Sequence, residues 1–174
     1  LVGCVQANRD ELTRPEHGLP VARTERICGR HLDVLAAHRW LDERRHALVE
    51  GHGDLRPEHV CLDGEPQVID CLDFSRALRT QDAVDDLGFL ALECVRLGAP
   101  SIAAAILDGY RRASGDVVPP GVVRFYQSLR ACVRARLAIR HLREPALARN
   151  PLWRERAEAY LAIAQQLVED GGMP

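Results

Sequence analysis

Three side chains able to do chemistry fall within eight positions of one another: His52, Asp54 and His59. Two more carboxylates, Asp70 and Asp73, lie just beyond. Between the two groups, Val60-Cys61-Leu62, the turn signal Asp63-Gly64 and then Val68-Ile69 read as a loop feeding a β-hairpin. Such a fold-back carries the acid of the loop toward the acids that follow the hairpin. Carboxylates that converge without a compensating base are costly unless a proton or a cation joins them. A divalent metal is the expected occupant.

The spacing is specific. His52-Gly53-Asp54, four residues, then His59 repeats the kinase catalytic-loop pattern H-R-D-x-x-x-x-N, with histidine in place of the asparagine. Asp70-Cys71-Leu72 stands where kinases carry the metal-binding D-F-G. His52-Gly53-Asp54-Leu55, the hairpin, Ile69-Asp70-Cys71-Leu72-Asp73-Phe74 and Asp86-Leu87 together resemble the aminoglycoside phosphotransferase and choline kinase family. They are most similar to bacterial phosphotransferase-like proteins with HGDL and FDC-x-x-F motifs. Residues 51–90 carry nearly all of this resemblance; the flanking helices are compatible with it.

The resemblance implies roles. Asp54 would accept the proton of an attacking hydroxyl. Asp70 would bind Mg²⁺, with Asp73 as a second ligand or a partner for Arg76. His52 would brace the backbone around the metal rather than react. His59 is a departure, since imidazole nitrogen suits Mn²⁺ better than Mg²⁺. Arg56 would neutralise a transferring phosphoryl group, or pair with Glu58 as a surface arginine. Asp86 would be a structural hydrogen-bond acceptor. The catalytic candidates are thus Asp54, Arg56 and His52, and the metal candidates His59, Asp70 and Asp73. The cofactors are ATP and Mg²⁺, with Mn²⁺ as the substitute.

All 23 basic residues among the 174 are arginine. Kinases of this kind hold ATP phosphates with a strand lysine and a glycine-rich loop. Neither is present in this sequence. The first residue is Leu1 rather than Met. The expectation is a C-terminal catalytic lobe whose nucleotide lobe lies outside the chain, so that the chain alone would bind ATP weakly and leave an apolar face for that lobe or for self-association. A net charge of −2 gives no bulk attraction to nucleic acid. No apolar run is long enough for a membrane span, and the six cysteines form no C-x-x-C. Reduced, mostly buried thiols in the cytoplasm are expected.

The elements that must position these residues are mostly helical. Residues 1–20 read as a helix followed by a loop. One or two helices fill 24–49, with the run Asp42-Glu43-Arg44-Arg45-His46 as a solvated face. After the hairpin and a connector to Gln81, helices are expected over 82–97, from a Ser101 cap to Ser114, over 121–143, and from the Asn150-Pro151 start to Val168. The arginines of the 121–143 helix read as a solvated face, and Asp85 as a surface residue. The fold class expected is α+β: a mainly helical, kinase-like C-terminal lobe with a small hairpin beside the catalytic loop.

The function this supports is ATP-dependent transfer of a phosphoryl group to a small-molecule hydroxyl. The segment after Asp70 reaches Asp86 too soon for a long activation loop, which argues against a protein substrate. Two rivals stand beside it: a pseudokinase-type binding module in which His59 marks lost chemistry, and a metal-dependent hydrolase using His52, Asp54, His59 and Asp70.

Overall fold

Residues three and four positions apart bury one stripe of two of the long helices. In helix α2 (Val21–Ala36) the stripe is Thr24, Ile27, Cys28, His31, Val34 and Leu35; in α8 (Pro151–Glu169) it is Ala157, Tyr160, Leu161 and Ala164. The computed structural model of the chain describes every residue except His38. It is α+β and mainly helical, with two small two-stranded sheets.

The chain divides into two compact units, residues 1–38 with 127–174, and residues 39–126. The first holds α1 (Val2–Leu12), α2, the greater part of α7 (Pro120–Arg140) and α8. Its buried side chains include Val5, Leu12, Ile27, Leu35, Cys132, Ile139, Tyr160 and Leu161. Inside it, His31 is fully buried, and Ser128 Oγ donates to the carbonyl of Ala164 at 3.1 Å. That hydroxyl is therefore an acceptor for His31 Nε2–H, 2.9 Å away. Burial pulls the His31 imidazole down to about 4, so it is neutral in the fold.

The second unit carries the chemistry-bearing loop. In chain order it contains α3 (Arg39–Glu43), β1 (Leu48–Glu50), β2 (Val60–Cys61), β3 (Gln67–Val68), α4 (Arg76–Arg79), β4 (Thr80–Asp82), α5 (Ala83–Arg96), α6 (Pro100–Ser114) and the start of α7. The expected hairpin is β2–β3, antiparallel with Val60 opposite Val68 and Cys61 opposite Gln67. Gly64 in its turn has φ +77°, the region glycine enters freely. Asp82 caps α5 by accepting Val84 N–H, and Asn150 caps α8 through Leu152 N–H. α6 starts earlier than its serine suggested, with Pro100 in the first turn and Ala99 as cap. α7 ends at Arg140 and passes into one 3₁₀ turn, His141–Arg143.

Local pattern missed the second sheet. Leu48, expected on a helix, instead begins β1, which pairs antiparallel with β4: Leu48 opposite Asp82, Val49 opposite Gln81, Glu50 opposite Thr80. Strands of three residues have too little alternation to be read from sequence. Small residues on α5 and α6, namely Ala91, Cys94 and Ala103, let those helices approach closely, with Leu90, Ile106 and Leu107 closing the edges. Trp40, Phe125 and Tyr126 pack edge-to-face at 5.0–5.9 Å.

The charged run at 42–46 is not uniformly solvated. Arg44 is 5% exposed. Its guanidinium forks to Asp82 (Nε and Nη2, both 2.8 Å) and to Asp116 (Nη1 2.7 Å, Nη2 2.8 Å). Tyr110 donates to Asp116 at 2.9 Å and Tyr126 to Asp82 at 3.4 Å. The hydrogen bonds from Arg44 hold the Asp116 carboxyl below its usual range. Burial, and then the nearby Asp82, push the Tyr126 phenol up. Asp85 is buried as well, contrary to its surface reading, on the inward side of α5.

Candidate functional site

The loop between β1 and β2 is held from two sides. From one side, the buried carboxylate of Asp86 on α5 accepts the backbone N–H groups of His52 at 2.7 Å and Gly53 at 3.0 Å. The glycines make this possible. A Cβ on Gly51 would stand 2.5 Å from Asp86 Oδ2. A Cβ on Gly53, whose φ is +86°, would meet Leu72 at 2.8 Å. From the other side, the segment after β3 is stitched to the loop by Leu72 N–H to His52 O at 3.0 Å and Ile69 N–H to His59 O at 2.9 Å.

Hydrogen bonds settle the two histidine tautomers. His52 Nε2 lies 2.7 Å from the carbonyl of Ile69, which can only accept, so Nε2 carries the proton. Its Nδ1 is then the acceptor for Asp54 N–H at 3.3 Å. His52 thus braces the loop against the segment leading into Asp70. His59, buried and stacked on His52 with ring centroids 5.4 Å apart, gives Nδ1–H to the carbonyl of Asp54 at 2.9 Å. In the neutral ring, Nε2 presents a lone pair. Arg56 Nη2 donates to it at 3.1 Å, and Asp70 Oδ2 stands 3.3 Å from it.

Asp54, Arg56, His59 and Asp70 therefore form one connected group. Arg56 Nε donates to Asp54 Oδ2 at 3.1 Å, and its Nη1 contacts Glu58. The pairing with Glu58 is one of the two readings of Arg56; the pairing with Asp54 is not expected from the sequence. Asp54 Oδ1 has no donor among the described residues. Asp70 adopts φ +62° and is the non-glycine residue with positive φ among those described. Aspartate tolerates this region better than most side chains, though at some cost. Its side chain is 76% exposed.

The three metal candidates are not gathered. His59 and Asp70 meet, but Asp73 is exposed and adds no third ligand. Among the described residues no three His, Cys, Asp or Glu side chains are grouped to hold a metal. The chain geometry gives the reason: Arg79 donates to the carbonyls of Leu72 and Asp73, fixing the backbone just past Asp70. Nor does Asp73 pair with Arg76, which donates to Glu50 at 2.9 Å. Glu50 also contacts Arg79, so one acid at the end of β1 holds both arginines of α4. Sequence pattern missed Glu50, Arg79 and Gly51; the glycines on both sides of His52 were the available signal.

Two of the expected ligands, Asp70 and His59, do meet, but the His59 Nε2 lone pair already accepts from Arg56. Asp70 Oδ2 and His59 Nε2 are two electron-pair donors 3.3 Å apart. Magnesium-type ions are commonly held by one or two protein groups, with phosphate and water completing the shell. The Arg56 guanidinium is the positive charge beside these two donors.

Several large apolar side chains around the loop and hairpin face solvent, among them Leu48, Val68, Ile69, Leu78, and most of all Leu62 and Phe74 at 75% and 76% exposed. Three of the six thiols, Cys28, Cys94 and Cys132, are buried as expected, but Cys61 on β2 and Cys71 after β3 are exposed. No described helix is long and apolar enough to cross a membrane.

The chain is similar to uncharacterized proteins of Mycobacterium tuberculosis and Mycobacterium bovis, 38% identical over 129 residues. The match takes in 74% of this chain and 24% of each relative, so the chain spans about a quarter of the length of the curated relatives it matches. No family model matches the chain, and no solved structure matches it.

Proposed function

We propose that this chain is the catalytic lobe of a kinase-like small-molecule phosphotransferase, similar to the aminoglycoside phosphotransferase and choline kinase family, working in the cytoplasm with ATP as donor. The observation that carries this reading is the linked group of Asp54, Arg56, His59 and Asp70, on a loop whose backbone is gripped by Asp86. Phosphoryl transfer asks little covalent chemistry of a protein; it asks for position and charge.

Asp54 is the base. Its Oδ2 is tethered by Arg56 and its Oδ1 is available to a hydroxyl. As the new oxygen–phosphorus bond forms and the bond to the ADP oxygen breaks, the hydroxyl proton passes to Asp54. Arg56 serves the negative charge on the phosphoryl oxygens. Asp70 with His59 would hold Mg²⁺ or Mn²⁺, which when bound neutralises phosphate charge. His52 and Asp86 keep the loop in register. The exposed apolar side chains around the hairpin suit cover by a nucleotide lobe or by a second copy of the chain.

A binding module without turnover is the second reading. It is favoured by Arg56, which already neutralises Asp54 and approaches His59. The test is phosphoryl transfer, or slow ATP hydrolysis, by the longest natural form of the protein. Transfer that is lost in Asp54→Ala while nucleotide binding persists supports the proposal. Nucleotide binding with no turnover in the wild type selects the binding module.

A further inference from the structure

The unit formed by residues 1–38 and 127–174 contains a hollow of about 340 Å³, lined by Arg14, Glu16, His17, Leu142, Arg143, Ala148 and Arg154. Leu142, Ala148 and Arg154 also line a second hollow of about 320 Å³, where Arg149 and the start of α8 at Asn150-Pro151 join them. Each is of the size that takes a small ligand.

The charge of the first hollow is uneven. Arg14 meets Glu16 at 3.8 Å, a loose exposed pair. Arg143 uses Nη2 alone on Glu11, beneath the wall. Burial by itself would raise Glu11, but hydrogen bonds from His17 and Arg143 more than offset it and keep the carboxyl low and charged. Arg154 has no acidic partner among the described residues. Its guanidinium carbon lies 3.5 Å from where a Cβ on Gly18 would stand, and Gly18, at φ +64°, leaves that space open. His17 is 5% exposed and spends Nε2 on Glu11 at 2.9 Å; its Nδ1 makes no hydrogen bond among the described residues. Three arginines and His17 thus line one small space with Glu16 as the single acid in its wall.

We propose that this hollow binds a phosphoryl group, carried by the free anion or by a small phosphate ester. Guanidinium forks match phosphate oxygens in pairs. An anion would answer the excess of positive charge that Glu16 and Glu11 leave uncompensated. The adjoining hollow gives an ester's organic part somewhere to lie. Its Leu142, Ala148 and Pro151 are apolar, and the 19-residue α8 points its N-terminal end there.

The test is titration calorimetry on the whole chain at near-physiological salt, with pyrophosphate, inorganic phosphate, glycerol phosphate and, as a dianion without phosphorus, oxalate. Expected is saturable, single-site binding of at least one phosphate probe, weaker binding of oxalate, and a loss of roughly tenfold or more in Arg154→Ala. Arg154 is exposed, so this variant should fold; circular dichroism checks it. Arg111→Ala, which removes an exposed arginine of α6, should bind like wild type. Tighter binding of glycerol phosphate than of inorganic phosphate identifies an ester as the source, and the reverse order identifies the free anion. No saturable binding, equal affinity in Arg154→Ala, or an equal loss in Arg111→Ala would overturn the proposal.

Discussion

The carboxylate of Asp86 receives the backbone N–H of His52 at 2.7 Å, across 34 residues of sequence. A helix side chain thereby fixes the main chain of the loop that carries Asp54. The approach depends on Gly51, because a Cβ there would stand 2.5 Å from Asp86 Oδ2. Asp86→Ala leaves the buried Gly53 amide and the part-buried His52 amide without their charged acceptor and should cost about 2–3 kcal/mol. Gly51→Ala should be destabilising in the same direction, by pushing the carboxylate away. Urea unfolding measures both. A wild-type midpoint in either variant would show that this contact does not hold the loop.

Arg44 should matter more to stability than any other surface-patterned residue of its segment. Arg44→Ala would strand the Asp82 and Asp116 carboxylates where the guanidinium now satisfies both. Breaking a buried pair from one side costs about 3–5 kcal/mol. Arg45→Ala, removing an exposed neighbour paired with Asp42, should change the unfolding free energy by less than about 1 kcal/mol. Similar effects of the two substitutions would contradict the buried network.

His31 makes the fold sensitive to acid. Its folded value is about 4, against 6.5 for the free side chain, so the unfolded chain binds the proton more tightly. The stability is fully present above 6.5 and is lost progressively as pH falls toward 4. The whole loss is of order 3 kcal/mol. The melting temperature should fall less steeply over this window in His31→Gln than in the wild type. Parallel pH profiles would assign the acid sensitivity elsewhere.

The cysteines should separate by rate under a thiol reagent. Cys61 and Cys71 are exposed and should react first. Cys28, pushed up to about 11 by burial, and Cys132, also raised well above the usual thiol range by burial, should react only on unfolding. Mass spectrometry of a timed reaction resolves the order, and early labelling at Cys132 would contradict the packing of α7.

On the proposed phosphotransferase reading, His59 puts an imidazole nitrogen where kinase catalytic loops carry an asparagine. With Asp70 Oδ2 3.3 Å from His59 Nε2, a harder oxygen ligand should shift metal preference. Activity of the longest natural form should favour Mn²⁺ over Mg²⁺, and His59→Asn should restore Mg²⁺ use. Equal Mg²⁺ activity in both would remove His59 from the metal.

What the sequence alone determined is what short-range rules control. The Asp63-Gly64 turn marks the hairpin, and Asp82 and Asn150 mark helix starts. The order of His52, Asp54, His59 and Asp70 was also legible, because their spacing is itself the signal. Tertiary structure alone decided which distant groups meet. Asp86 grips a loop 34 residues before it, and Arg44 reaches Asp116 across 72 residues. Asp73, adjacent in pattern to Asp70, is left outside the group that Asp70 joins. The three-residue strands β1 and β4 acquire their identity only from each other. For Asp86, Arg44 and the two strands the deciding energy is a hydrogen bond or ion pair whose second partner lies far along the chain, and local propensity carries no information about it.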